Sequence, residues 1–205
     1  MKRLVIPAAA LAVAAAAALY LTAGDETGEV LEDARSYIEA MRSRDFDRIF
    51  SYHGDSQRKC MIVTVRANGG DVTAELEAVR KLKRSNFETA SFSEDLIGEW
   101  VEKAIFTPPS SYHIVGVDMV EDTENPSSPL HDINERVNAF VTVEVSYPSA
   151  DRAPVFGGRP LKSGRFVVKM VHSSNIARTL RGEATIDRWL FKSIRAVPES
   201  MEFFD

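Results

Sequence analysis

The sequence predicts an α+β fold, with N-terminal helices packed on a curved four-stranded antiparallel sheet and an apolar helix ahead of them. Three observations carry this. Between about residues 28 and 105, apolar side chains recur at three- and four-residue steps, the period of an amphipathic helix. From Tyr112 onward they alternate, the period of a half-buried strand. The alternating stretches are joined by polar, proline- and glycine-bearing loops too short for a crossover helix, so antiparallel pairing in chain order is the simplest topology.

The chain opens on Met1-Lys-Arg3, followed by the uncharged, alanine-rich run Leu4–Ala23. Two readings fit this run: a secretory signal peptide cleaved near the small residues Thr22-Ala23-Gly24, or an uncleaved membrane anchor. Both keep Lys2 and Arg3 cytoplasmic and export everything from about Gly24. The expected organisation is therefore signal or anchor at 1–23, a polar spacer at 24–29, one α+β domain at 30–198 and a tail at 199–205.

Helix one is expected from about Gly28 to Met41. Val30, Ala34, Tyr37, Ile38 and Met41 form its apolar stripe, with Arg35, Glu39 and Arg42 off it. Ser43-Arg-Asp45 reads as a break and a new cap, and Phe46, Ile49 and Phe50 restart an apolar face in a short helix ended by His53-Gly54-Asp55. Ser56–Ala67 fits a strand or a helix equally well. Asp71–Arg84 reads as a helix whose basic run Arg80-Lys-Leu-Lys-Arg84 is its solvated face and last turn. Ser93–Ile105 reads as another, with Leu96, Ile97, Trp100, Val101 and Ala104 inward, stopped by Pro108-Pro109.

The first strand spans about Tyr112–Glu121, with Val115, Val117 and Met119 on one face. The clearest strand is Arg136–Tyr147: Val137, Ala139, Val141, Val143, Val145 and Tyr147 share a face and Phe140 points the other way. Loops at 122–135 and 148–164 flank it. Arg165–Ser173 follows, with Phe166, Val168, Met170 and His172 aligned. Ala184–Val197 is last, with Ile186, Leu190 and Ile194 on one face and Trp189 and Phe191 on the other.

The chain has 205 residues and a net charge of -5; without Lys2 and Arg3, 23 basic residues stand against 30 acidic ones, or -7. Such a body does not attract nucleic acid. The single cysteine, Cys60, makes no internal disulfide and reads as a small buried apolar side chain. The four histidines (His53, His113, His131, His172) are too dispersed for metal-ligand spacing. No phosphate-cradling or nucleophile-elbow motif is present, and Gly157-Gly158-Arg159 reads as a turn. No cofactor, metal site or catalytic residue set is predicted.

Tyr37-Ile-Glu-Ala-Met-Arg-Ser-Arg-Asp-Phe-Asp-Arg-Ile-Phe50 resembles the first helix of the nuclear-transport-factor-2-like superfamily. Asp187-Arg-Trp-Leu-Phe-Lys-Ser-Ile194 is similar to its last strand. The resemblance covers about Val30–Val197 and departs from the family in its extra material between Asp55 and Ile105 and its long loops. It implies a curved sheet wrapped on helices, a cone whose interior can hold a pocket. The superfamily includes isomerases, dehydratases and hydrolases as well as non-catalytic exported domains, so fold alone does not assign activity.

An enzyme of this shape needs a carboxylate base and a donor facing inward, and Tyr52, His53, Asp118, His172, Asp187 and Arg188 are the residues from which one would be drawn. Of these, Asp118 is expected to face solvent. The candidate pocket residues are His172, Met170, Tyr37 and Tyr147, and the candidate interaction face is Phe140, Trp189 and Phe191. The leading reading is an exported, envelope-associated, non-catalytic domain that binds a small apolar ligand or a protein partner, held at the membrane if the N-terminal segment is uncleaved. An isomerase- or hydrolase-like enzyme and a tethered subunit of an envelope assembly are the alternatives.

Overall fold

The computed structural model describes residues 27–52, 69–92, 96, 98–121, 137–172 and 188–205. The N-terminal apolar run, Ser56–Ala67 with Cys60, the loop holding His131, and the residues His53, Ile97 and Asp187 lie outside them. The described chain is α+β: helices α1 (27–43), α2 (Phe46–Tyr52), α3 (Val72–Thr89) and α4 (Val101–Phe106), then strands β1 (Ser111–Glu121), β2 (Val137–Ser146), β3 (Val155–Phe156), β4 (Arg159–His172) and β5 (Trp189–Phe203).

The sheet is antiparallel with five strands rather than four. Its main order is β1-β2-β4-β5, the order expected from the short connections, and β2 is paired on both sides. The added strand comes from the loop expected at 148–164. Gly157 and Gly158, at φ 56° and 76°, form a two-residue turn that folds β3 back on the start of β4. Both conformations are left-handed, which glycine reaches without a Cβ penalty and which suits the hairpin twist.

The core is the face foretold by the alternation in β2. Ala139, Val141, Val143 and Val145 are fully buried, as are Val168 and Met170 of β4, with Phe166 beside them. The stripe of α1 sits on them: Val30, Ala34, Tyr37, Ile38 and Met41 are all fully buried. Each such Val, Ile or Met side chain stabilises the fold by roughly 1.5–3 kcal/mol relative to exposure. The break after α1 is also as expected. Arg44 takes a left-handed φ of 56°, and the Asp45 carboxylate accepts the Arg48 amide at 3.2 Å to cap α2.

The sheet curls around α1. Thr27 Oγ1 lies 3.7 Å from Met119 Sδ and the Tyr112 hydroxyl donates to Glu39 at 2.7 Å, both on β1. On the other side, the Tyr37 ring stacks on Phe191 of β5 with centroids 4.5 Å apart. One helix roughly 10 Å wide thus touches both outer strands, which in a flat sheet would stand about 14 Å apart.

Two bulges account for the largest departures from the sequence-based faces. In β1 the register shifts between Ile114 and Gly116, leaving Val115 exposed and turning Tyr112, Ile114, Val117 and Met119 inward. Val115 therefore does not share a face with Val117 and Met119. In β5, Phe191 opposes Met170 while Ser193 opposes Lys169, so Lys192 is the extra residue. Trp189 and Phe191 then face the core before the bulge, and Ile194 and Ala196 after it. The expected outward placement of Trp189 and Phe191 is overturned: they are 2% and 8% exposed. A bulge inserts one residue, and because side chains alternate, one residue reverses every face beyond it.

Other boundaries moved for local reasons. Ser93–Ile105 is not one helix: Leu96, Gly98 and Trp100 all have positive φ (53°, 141° and 68°), and only Val101–Phe106 is helical. The turn buries Trp100 against Phe87 and Phe46 at centroid distances of 5.3 and 6.2 Å. Helix α3 runs on to Thr89, so its basic run lies in mid-helix rather than in the last turn. Arg80 and Arg84 each reach Asp47 of α2 at 2.6 Å. The supposed tail at 199–205 continues β5, where Phe203 stacks on Phe156 at 6.5 Å and lies under the Arg159 guanidinium.

Candidate functional site

A polar network lies where α1, α2, α4 and the start of β5 converge. Tyr37 is on the buried stripe of α1, and its hydroxyl donates to Glu102 Oε1 of α4 at 2.9 Å. Both side chains are buried, at 0% and 3% exposure. Burial first, and the Glu102 charge second, push the Tyr37 phenol well above its ordinary pKa, so it remains a donor.

One helical turn earlier, Asp33 accepts the Trp189 backbone N–H at 2.7 Å and the Tyr52 hydroxyl at 3.3 Å. Desolvation raises the Asp33 carboxyl above its usual range, and the donors from Trp189 and Tyr52 and the nearby Arg188 charge pull against it. The Arg188 guanidinium sits 5.0 Å over the Tyr52 ring and donates to Ser51 Oγ at 3.0 Å. The Tyr37 and Tyr52 rings meet edge to face at 6.0 Å.

Chemically this is a clasp. Both oxygens of Asp33 accept bonds that tie β5 and α2 to α1, a geometry that holds a strand terminus in place. It does not aim a free carboxylate at a substrate. The buried Tyr37–Glu102 pair is the closest approach to an acid–donor arrangement among the described residues.

Tyr37 and Met170 are fully buried in the core, and the Tyr147 hydroxyl donates to the Ile105 carbonyl at 2.9 Å. His172 ends β4 opposite Trp189, and its side chain lies outside the described residues. Of the candidate interaction face only Phe140 points outward. It is half-buried, with the Lys169 ammonium 5.7 Å over its ring. Of the residues weighed for catalysis, Tyr52 and Arg188 join the network, and Asp118 is exposed as expected.

Sequence reasoning missed Asp33 and Glu102. Asp33 stands four residues before Tyr37, hence on the same side of the helix, and Glu102 directly follows the buried Trp100-Val101 pair. Those spacings were the available signal.

Open depressions lie elsewhere among the described residues. One of about 510 Å³ opens beside the end of β5, lined by Glu144, Arg165, Ser200, Met201 and Glu202 among others. One of about 430 Å³ opens between α2, α3 and α4, lined by Arg44, Asp47, Arg84 and Lys103 among others. Lys103 donates to the Phe87 and Glu88 carbonyls; desolvation, then the Arg44 charge, lowers its pKa. Among the described residues no group of three His, Cys, Asp or Glu side chains is placed to hold a metal ion, and no helix is long and apolar enough to cross a membrane. Comparison with family models, curated proteins and solved structures returned no match for this chain.

Proposed function

We propose that this chain is an exported, envelope-associated, non-catalytic domain of the nuclear-transport-factor-2-like kind, which works by binding a protein partner on the outside of its curved sheet. The observation that carries this reading is the state of the concave face. On that face α1 packs against the sheet, with Tyr37 stacked on Phe191 and its hydroxyl held by Glu102. The convex face by contrast presents Phe140, Thr142, Glu144, Arg165 and Lys169, all at least partly exposed. A mixed polar surface with one half-open aromatic suits a non-obligate protein contact better than an apolar ligand. Export rests on the Met1–Ala23 pattern.

The test is fractionation of cells expressing the full chain, with N-terminal sequencing and a photo-crosslinking residue at Phe140. The expected result is recovery in the envelope or periplasmic fraction, starting at Met1 or near Gly24, with a discrete adduct from Phe140 and none from a control position at Leu82. Recovery of the full-length chain in the soluble cytosol overturns the export reading, and no adduct from Phe140 overturns the binding face.

The enzyme alternative has one observation in its favour, the buried Tyr37–Glu102 pair. Turnover of a ketosteroid or an epoxide that disappears in both Tyr37→Phe and Glu102→Gln would establish it.

A further inference from the structure

The outer edge of the sheet at β1 carries a second, independent message. Among the described residues β1 pairs only with β2, so an eleven-residue strand leaves one row of backbone donors and acceptors facing outward. Such an edge templates strand addition unless it is blocked. Four large apolar side chains are exposed among the described residues, and two of them, Val115 and Val120, are on this strand, at 47% and 50%.

The pattern along the strand is self-complementary. Tyr112, Ile114, Val117 and Met119 face the core, and His113 and Asp118 face outward. The bulge at Val115-Gly116 lies midway. Turned end for end about that point, the strand maps Tyr112 onto Met119, Ile114 onto Val117 and His113 onto Asp118. An antiparallel partner of the same sequence therefore meets core face with core face and outer face with outer face, as register requires. A Cβ placed on Gly116 would meet nothing within 4 Å, so the centre of the crossing is open.

Charge points the same way. His113 is opposite Glu144, and Glu144 is opposite Arg165, whose Nε donates to it at 3.2 Å. With a second copy in this register, the row reads Arg165, Glu144, His113 and then Asp118 of the other copy. Each group next to another is one that it can pair with.

We infer that two copies of this chain associate through β1, antiparallel and centred on Val115-Gly116, to form one continuous sheet across the dimer. Two symmetric His113–Asp118 contacts fix the register. The surface is distinct from the convex face around Phe140, and the inference does not depend on where the chain is located.

The test uses the full chain, in mild detergent if the N-terminal segment is retained, with Cys60→Ser as the background. His113→Cys and Asp118→Cys are introduced singly and together. Within one copy the two positions are about 15 Å apart along the strand, beyond the roughly 7 Å that a disulfide spans. The expected result is a covalent dimer under mild oxidation from the double variant and none from either single variant. No dimer from the double variant, or equal dimer from a single one, overturns the inference. A second measurement does not need the disulfide. By sedimentation, His113→Asp should weaken self-association by about 2- to 30-fold, because two like-charged contacts replace two favourable ones. Combining it with Asp118→His should restore it, since the contacts are merely exchanged. A chain that sediments as a monomer at all concentrations, or a double swap no better than His113→Asp, overturns it as well.

Discussion

Tyr37→Phe removes one oxygen from the centre of the molecule and leaves the ring stacked on Phe191. What it takes away is the 2.9 Å donor to a carboxylate that is only 3% exposed. A hydrogen bond to a charged group contributes about 1.5–3 kcal/mol, and its buried partner is then left with one donor fewer. The expected loss is therefore about 2 kcal/mol, which for a chain of this length lowers Tm by about 4–8 °C. Glu102→Gln should cost less, about 1 kcal/mol or below, because the amide oxygen still accepts from Tyr37 and a buried charge is removed. The double variant should show a coupling of about 1–2 kcal/mol. Urea unfolding at pH 7 measures all three, with the chain's two tryptophans, Trp100 and Trp189, as buried fluorescent reporters. A Tyr37→Phe loss below about 0.5 kcal/mol, or a coupling of zero, would refute the claim that this pair is an integral part of the core.

The placement of aromatics by the β5 bulge predicts that Phe191→Ala costs about 3–5 kcal/mol, whereas Phe140→Ala costs under about 1 kcal/mol; equal losses in urea melts would contradict the assigned faces. Gly164→Ala should cost under about 1 kcal/mol, since its Cβ would stand 2.5 Å from Met201 Sδ, the far end of a flexible, half-buried side chain that can move aside, and Met201→Ala in the same chain should remove that cost. Asp33 has a raised folded-state pKa, so the folded state holds its proton more tightly and stability falls as pH rises through the interval just above 3.8. Asp33→Asn should flatten that fall in a pH series of urea melts, and an unchanged slope would show that the carboxyl is not the group responsible.

What was legible in the sequence was whatever kept an unbroken period. Helix α1 and strand β2 each hold one repeat, and Val30, Ala34, Tyr37, Ile38 and Met41 of the one and Ala139, Val141, Val143, Val145 and Tyr147 beside the other are buried as that repeat predicts; Ala40 and Asn138 are buried in addition. The failures sit where the period is interrupted by backbone events that leave no compositional mark. Val115-Gly116 and Lys192 are ordinary strand residues, yet each shifts the register by one and reverses the faces beyond it, which is how Trp189 and Phe191 came to be placed outside. Leu96 and Trp100 matched a helical spacing because their burial was real; the positive-φ turns at Leu96, Gly98 and Trp100 that achieve it were invisible. Asp33 and Glu102 were passed over because a charged residue beside an apolar stripe usually marks the solvated flank of a helix.

These interruptions also explain how a short set of elements closes into a stable shell. A strand bends and twists more at a bulge, and the two bulges lie in β1 and β5, the strands that must turn toward α1 from opposite sides. Polar bonds then hold both strands at the helix: Tyr112 to Glu39 on one side, and the Trp189 amide to Asp33 on the other. The Tyr112 phenol is pushed up to about 12, first by burial and then by its bond to Glu39, so it stays a donor well into alkaline conditions. The same β1 bulge that turns the inner face onto α1 leaves Val115 outside and makes the strand symmetric about its midpoint. Closing the core and exposing a self-matching edge are thus two consequences of one inserted residue. Deleting Val115 should accordingly damage both: with the parity of one half of β1 reversed, either Tyr112 and Ile114 or Val117 and Met119 would leave the core, and the pairing of His113 with Asp118 across the dimer would lose its register.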